Sequence, residues 1–431
     1  MEQQDEILWL EGLEVIRRII SQGHEAYLVG GCVRDRFLGR SLHDIDIATS
    51  ATPEEVMGLF ARTIPTGLKH GTVTIMENGR SFEVTTFRQE FGYSDARRPD
   101  KVAFVLDVRE DLARRDFTFN AMAIGLNGEL VDPFGGKVDL EAGIVSSVGE
   151  ASERFEEDAL RMLRAIRFGA EFDFQLSPEL WRGIVEQRPK LKQVAMERVS
   201  SEWDKMMAGS GPEQACHYLF KSGLLTNVKE PLPYAFQEAI ESYRFNRLPW
   251  QWSMSFGDLG SLGSQLLELP LITDPDLRWA ALLSGFGIRE KDCEDLCRTL
   301  RFSGRRIARI SSVVGFNERM NELGSFSTKD HWFSAVLAYG RTTSQDWLDM
   351  AEAGNRVAAE ERGKLAKPAA ASISELHIRG NELSSFLGKP PGPWIADLLR
   401  YLLEEVAFER VPNERAALLA AAKRVEGNTE L

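Results

Sequence analysis

At 431 residues, with 43% hydrophobic side chains and no run of about 18 apolar residues, the chain is long enough to bury its own cores in two to four domains, and nothing in it reads as membrane-spanning. Four cysteines, Cys32, Cys216, Cys293 and Cys297, are too few for a disulfide framework and lack histidine partners for a zinc site, so they read as packed or surface thiols in a reducing compartment. A formal net charge of −13 argues weakly against non-specific nucleic-acid binding, because phosphate contacts want lysine and arginine.

The acidic start MEQQDEILWLEG lacks the basic, apolar pattern of a signal peptide, so a cytoplasmic location is expected. EAYLVGG then reads as a strand running into a glycine turn, and CVRDRFLG as a short helix closed by Gly39. HDIDIAT is a second strand. TPEEVMGLFAR has a threonine N-cap and glutamates in its first turn, a helix start. TVTIMENGRSFEVTTF is a hairpin about Asn78-Gly79. RQEFGYSDARRPDK reads as a polar loop, and VAFVL resumes as a strand. The order implies one sheet with helices packed on it.

Strand signals fade after Gly135-Gly136. From about Glu153 the periodicity is that of amphipathic helices nearly to the end, with KLAKPAAASIS as a short linker. The fold class is therefore α+β: a mixed head followed by an all-helical remainder. RTLRFSGRRIAR, Arg298 to Arg309, carries five arginines and no acid. It reads either as a track for an RNA backbone or as a set of partners for acids on neighbouring helices.

Three stretches carry chemistry. In HDIDIAT, residues two apart point to one face, so Asp44 and Asp46 aim together while Ile45 and Ile47 point into the core. Two carboxylates so placed repel unless a cation sits between them, and oxygen ligands of this kind suit magnesium with substrate phosphates. An isolated D-x-D is as a rule a solvated strand face, but VGGCVRD lies just upstream. Its glycine pair between strand and helix exposes backbone N–H groups suited to phosphate oxygens. In RRDFTFNAMA, Arg115 reads as a phosphate clamp if a triphosphate is near, and otherwise as part of a surface ion-pair cluster. In EEDALRMLRAIRF, Asp158, Arg161, Arg164 and Arg167 recur every three residues and form a polar ribbon on one helix. That ribbon is either an ordinary solvated face or, through Asp158 and Arg161 one turn apart, a reader of the hydrogen-bonding edge of a base.

Together YLVGGCVRDRFLG…HDIDIATSA, TGLKHGTVTI, EVTTFRQEFGYSDARRPDKVAFV, RRDFTFNAMA and RFEEDALRMLRAIRF resemble the class II tRNA nucleotidyltransferases, the bacterial CCA-adding enzymes, over roughly residues 25 to 170. HIRGNELSSFLGKPPGPWIADLLRYLLEEV is similar to the same family's tail. The resemblance implies template-independent addition of C, C and A to the 3′ end of tRNA from CTP and ATP, with magnesium as cofactor. It implies a polymerase-β-like nucleotidyltransferase head at 1–140, a neck at 141–210, a body at 211–350 and a tRNA-binding tail at 351–431. Carried over residue by residue, Asp44 and Asp46 hold the metal and are catalytic. Gly31 and Arg34 contact the nucleotide, and Arg115 binds its phosphates. Asp158 and Arg161 pair with the base, and Arg164 and Arg167 complete the pocket.

The resemblance further implies tRNA, by its acceptor stem and 3′ end, as partner, and it allows a homodimer. Glu83 is a candidate third carboxylate, equally readable as a solvated strand residue. RQEFGYSDARRPDK matches the family's mobile loop, which favours full CCA addition or A addition alone. Ser146 and Ser147 stand where many relatives have an arginine. The six histidines form no His-Asp pair of the phosphohydrolase domain that some relatives carry, so that domain is expected to be missing.

Overall fold

Alternating burial builds the head. In the computed structural model, which describes residues 2–92, 99–245, 266–322, 329–354 and 367–429, Phe82 and Val84 are buried while Ser81 and Glu83 between and beside them face outward. Helix α1 (Glu2–Ile20) precedes β1 (Ala26–Val29), α2 (Gly31–Phe37), β2 (Asp46–Thr49) and α3 (Pro53–Leu59). Thr52 caps α3 in a complete capping box with Glu55, as its sequence predicts. Strands β3 (Thr63–Gly67), β4 (Thr72–Glu77) and β5 (Arg80–Thr86) follow. Asn78 and Gly79, with φ of 52° and 77°, form the tight turn between β4 and β5.

Farther on come β6 (Arg88–Phe91), β7 (Lys101–Phe104), α4 (Val108–Ala113), β8 (Ala123–Ile124) and β9 (Leu130–Val131). The main sheet has the order β3-β4-β5-β2-β1-β8-β9, antiparallel except where β2 runs parallel to β5. Val29, Ala48, Phe87, Val108, Leu112, Ala121, Ala123 and Val148 form one buried core under it.

Three local readings need correction. The single sheet is accompanied by a separate antiparallel ribbon, β6 with β7, so Arg88–Phe91 is a strand and not part of a loop. Its polar residues hid it: Arg88 ion-pairs with Glu90 at 2.7 Å, and Glu90 with Arg114 at 3.1 Å, so charge compensation replaces apolar alternation. Residues 93–98 of the RQEFGYSDARRPDK segment, and 364–366 of the expected linker, lie outside the described residues. The helix expected through Glu156–Phe168 is broken. After α5 (Gly136–Ala142) and β10 (Ile144–Val145), helix α6 (Ala151–Glu157) ends at Asp158, which is extended, and α7 (Leu160–Phe172) starts anew. The break has a local cause, because the Asp158 carboxylate accepts from the Leu160 N–H at 3.0 Å, the usual role of an aspartate before a helix.

The chain divides into two compact units, one of residues 1–232 with 240–245 and one of 233–239 with 246–431. In the first, β11 (Gln175–Leu176) pairs with β10, and α8 (Pro178–Gln187), α9 (Met196–Ala208) and α10 (Pro212–Ser222) complete the helical part, with α7 packed on α9 and α10. Helix α11 (Tyr234–Phe245) spans the boundary between the units.

The second unit holds α12 (Pro275–Gly285), α13 (Glu290–Thr299), α14 (Gly304–Glu322), α15 (Lys329–Ala353, interrupted at Gly340), α16 (Gly380–Leu387), α17 (Trp394–Ala407) and α18 (Arg415–Thr429). Here Arg306 pairs with Asp276 at 2.7 Å, Arg309 with Asp346 and Asp274 at 2.9 and 2.8 Å, and Arg298 with Glu294 at 2.8 Å. Three of the five arginines of RTLRFSGRRIAR thus pair with acids of their own unit. Among the described residues no helix is long and apolar enough to cross a membrane.

All four cysteines are buried free thiols. His217 on α10 is also buried, with its Nδ1 2.6 Å from the Tyr243 hydroxyl. Burial first, and then the Lys221 charge, push its imidazole from the ordinary 6.5 down to about 4. Between those two values the unfolded chain holds the extra proton, so stability falls as pH drops through that window. Urea denaturation should show the first unit losing up to about 3 kcal/mol from this group between pH 6.5 and 4. His217→Asn should remove that share of the slope, and an unchanged slope in the variant would contradict the assignment.

Candidate active site

The turn from β1 into α2 puts a glycine where no other residue fits. Gly30 has φ 72° and ψ −128°, and a Cβ there would lie 2.8 Å from Arg115 Nη1 and 3.7 Å from Asp46 Oδ2. The bare backbone of Gly30 therefore lets the head of β2 and the guanidinium of Arg115 meet over one point. Gly31 is the first residue of α2. One turn later Arg34 donates from Nη1 to Asn120 Oδ1 at 2.7 Å and from Nε and Nη2 to Asp35, both at 2.9 Å.

Asp46 opens β2, opposite Glu83 on parallel β5, so the two side chains share a face. Asp44 lies two residues earlier, just before the strand and exposed, while Ile45 and Ile47 are buried at 1%. The predicted alternation holds although the strand starts later than expected. Burial, then the charges of Asp44 and Glu83, push the Asp46 carboxyl up to about 6, with Arg115 pulling the other way. Uncompensated negative charge around a half-buried carboxyl is what a divalent cation relieves.

Among the described residues no three His, Cys, Asp or Glu side chains converge as a metal-binding group. Magnesium needs only one or two carboxylates, its shell being filled by phosphate and water, and Asp44 and Asp46 are the candidate pair. Cys32, whose thiol lies 3.2 Å from the Val29 carbonyl oxygen, is pushed up to about 12 by burial and offers neither thiolate ligand nor nucleophile.

The arginines are gathered by acids that sequence reasoning passed over. Asp111, fully buried, pairs with Arg114 at 2.9 Å and Arg115 at 3.4 Å, and accepts from the Arg88 backbone N–H at 3.3 Å. Arg115 Nη1 also donates to the Asn120 carbonyl at 3.3 Å, while its Nε is buried with no hydrogen-bond partner. Asp116 pairs with Arg164 at 2.7 Å and accepts from Asn120 Nδ2 at 3.1 Å. Burial would raise the Asp116 carboxyl, but Arg164, Arg161 and these hydrogen bonds outweigh it and hold it well below the usual carboxylate range. Arg167 pairs with Glu202 and Glu171, each at 2.8 Å.

Asp158 and Arg161 flank the helix break rather than sharing one helix face. Asp158 is gripped by Arg198 at 2.7 Å, and Arg161 by Glu157 at 2.5 Å and by the carbonyls of Arg114 and Arg154. They still adjoin, because the Arg161 N–H donates to the Asp158 carbonyl at 3.0 Å. Asp116 and Asn120 lay inside the quoted RRDFTFNAMA stretch, but no spacing rule marked them. Asp111 and Arg198 had no signal at all.

Against known proteins, residues 26–146 match the family described as "Poly A polymerase head domain", 173–234 "Probable RNA and SrmB- binding site of polymerase A", and 272–422 "tRNA nucleotidyltransferase domain 2 putative". The CCA-adding enzyme of Lactiplantibacillus plantarum is 35% identical over 423 residues, 95% of each chain. That of Geobacillus kaustophilus is 34% identical over 411 residues, again 95% of each chain. The chain belongs to the CCA-adding enzyme family. The crystal structure of the Bacillus stearothermophilus CCA-adding enzyme in complex with CTP superposes with a TM-score of 0.75, at 30% identity and 98% of each chain. As a member of this family the chain is a tRNA nucleotidyltransferase with an α+β fold.

Gly30→Ala sets a side chain against Arg115 in a backbone region nearly closed to non-glycine residues. Chemical denaturation of this CCA-adding family member should show a loss of about 1–3 kcal/mol. Wild-type stability in the variant would mean that the turn relaxes freely and does not fix Arg115.

Proposed function

We propose that the chain adds C, C and A to the 3′ end of tRNA from CTP and ATP, with Asp44 and Asp46 as the metal-binding catalytic pair. The observation that carries this reading is the crowding of Asp44, Asp46 and Glu83 beside Arg115, which makes one face of the head demand a cation and present a guanidinium to a triphosphate. The family's CCA-adding relatives, one of them in complex with CTP, supply the substrate class. Magnesium, when bound there, lowers the pKa of the attacking 3′-hydroxyl and offsets charge on the leaving pyrophosphate. Glu83, opposite Asp46 on β5, adds to the negative charge that the cation would meet.

The chain's own contribution is positioning, as in phosphoryl transfer generally. Gly31 and Arg34, in the first turn of α2 just after Gly30, contact the nucleotide, and Arg115 clamps its phosphates. Asp158 and Arg161 present an acceptor and donors to the base edge, with Arg198 and Glu157 as the side chains that hold them until a base competes. Arg164 and Arg167 complete the pocket. A head, neck, body and tail at 1–140, 141–210, 211–350 and 351–431 remain our division of labour along the chain, with tRNA held through its acceptor stem.

With tRNA ending before CCA and labelled CTP, the wild type should incorporate C and then A. Incorporation only of A, into tRNA ending in CC, would identify an A-adding enzyme. Asp44→Ala should lower turnover by at least about a hundredfold while tRNA binding stays within about twofold. Appreciable activity in that variant would refute the metal assignment. Arg161→Ala should cut discrimination of CTP and ATP against UTP and GTP by about ten- to a hundredfold. Unchanged selectivity would count against base reading by this pair.

A further inference from the structure

We propose that Phe168 is a positioning residue for the nucleotide pocket, an aromatic seat shared by Arg34, Arg164 and Arg167. The proposal rests on the reading of those arginines as nucleotide-binding groups. Their guanidinium carbons lie 5.2, 5.3 and 4.1 Å from the centroid of the one Phe168 ring. Two of the arginines share α7 with it, four residues and one residue before, whereas Arg34 arrives from α2. No sequence spacing announces this convergence.

The ring is itself held. Phe168 is 5% exposed, with Phe117 and Phe119 edge-on at 5.6 Å each and Phe172 nearly parallel at 5.5 Å. Phe172 also lies 4.9 Å from the Arg34 guanidinium. Each of the three cations is steadied at an edge as well: Arg34 by Asp35 and Asn120, Arg164 by Asp116, and Arg167 by Glu202 and Glu171. Each guanidinium is thus held from two sides, by polar partners at its N–H groups and by the ring.

A ring does here what neither an acid nor an aliphatic side chain can. Three like charges gathered at one place repel, and each long side chain loses rotamer freedom when fixed. A further carboxylate beyond Asp35, Asp116, Glu171 and Glu202 would occupy more N–H donors and add negative charge where an anionic nucleotide is to bind. Leucine would fill the space and offer no negative face. The aromatic quadrupole attracts each cation, takes up no N–H donor, and adds no net charge.

The test compares Phe168→Leu, trifluorophenylalanine incorporated at position 168, and Arg34→Ala in the full chain, reading KM for CTP, ATP and tRNA together with Tm. Fluorination keeps the ring's shape and drains its negative face, so Tm should stay within a few degrees of wild type. We expect KM for CTP and ATP to rise about tenfold in both Phe168 variants, with KM for tRNA within about twofold. If Arg34→Ala raises the CTP KM and the fluorinated protein keeps the wild-type value, the aromatic seat is refuted while the pocket reading stands. If Arg34→Ala leaves the CTP KM unchanged, the pocket reading fails and takes the proposal with it.

Discussion

Holding carboxylates and guanidinium groups in one small volume without letting them cancel is the constraint on which the head depends. Asp46 is the point of greatest tension. Burial and two neighbouring acids raise its carboxyl toward neutrality, and Arg115 only partly offsets them. Arg115 is kept from neutralising it outright because its Nη2 is pulled toward Asp111 on α4. A residual demand for positive charge therefore survives folding, and a divalent cation carried in with a triphosphate can meet it.

The rest of the first unit sustains that separation. Asp111 gathers Arg114 and Arg115, Asp116 takes Arg164, and Glu202 takes Arg167. Buried pairs of this kind contribute little net stability, because desolvation offsets most of the attraction. What they supply is direction. Asp111 holds Arg114 and Arg115 within about one turn at the end of α4, whereas Asp116 and Glu202 reach arginines of α7 from outside it, so these pairs tie the segment after α4 and helix α9 to α7. The glycine turn at Gly30 and the phenylalanine cluster around Phe168 set the same donors by shape.

Much of this was legible from residue pattern, and the boundary of legibility has a physical cause. The alternation through Ile45 to Ile47, the Asn78-Gly79 turn and the Thr52 cap are local, and their signals lie in adjacent residues. The β6 strand was hidden because buried ion pairs with Glu90 and Arg114 took the place of alternating apolar residues. The helix through Asp158 looked continuous because its apolar period runs on, while a single side-chain cap broke it. The reading of the arginine-rich stretch at Arg298–Arg309 stayed divided between RNA and neighbouring acids because Asp276 and Asp346, which pair with Arg306 and Arg309, are remote in the chain. Resemblance to a family named the arginines of the pocket, but neither it nor spacing named the acids that hold them.

The central claim is that the paired acids of the head clasp divalent cations against a nucleoside triphosphate. Its most direct test is anomalous diffraction from crystals of the protein grown with CTP and manganese. The account predicts a manganese peak within coordinating distance of both Asp44 and Asp46 and of triphosphate oxygens. A peak elsewhere, or CTP bound away from β2 with those carboxylates turned to solvent, would contradict it.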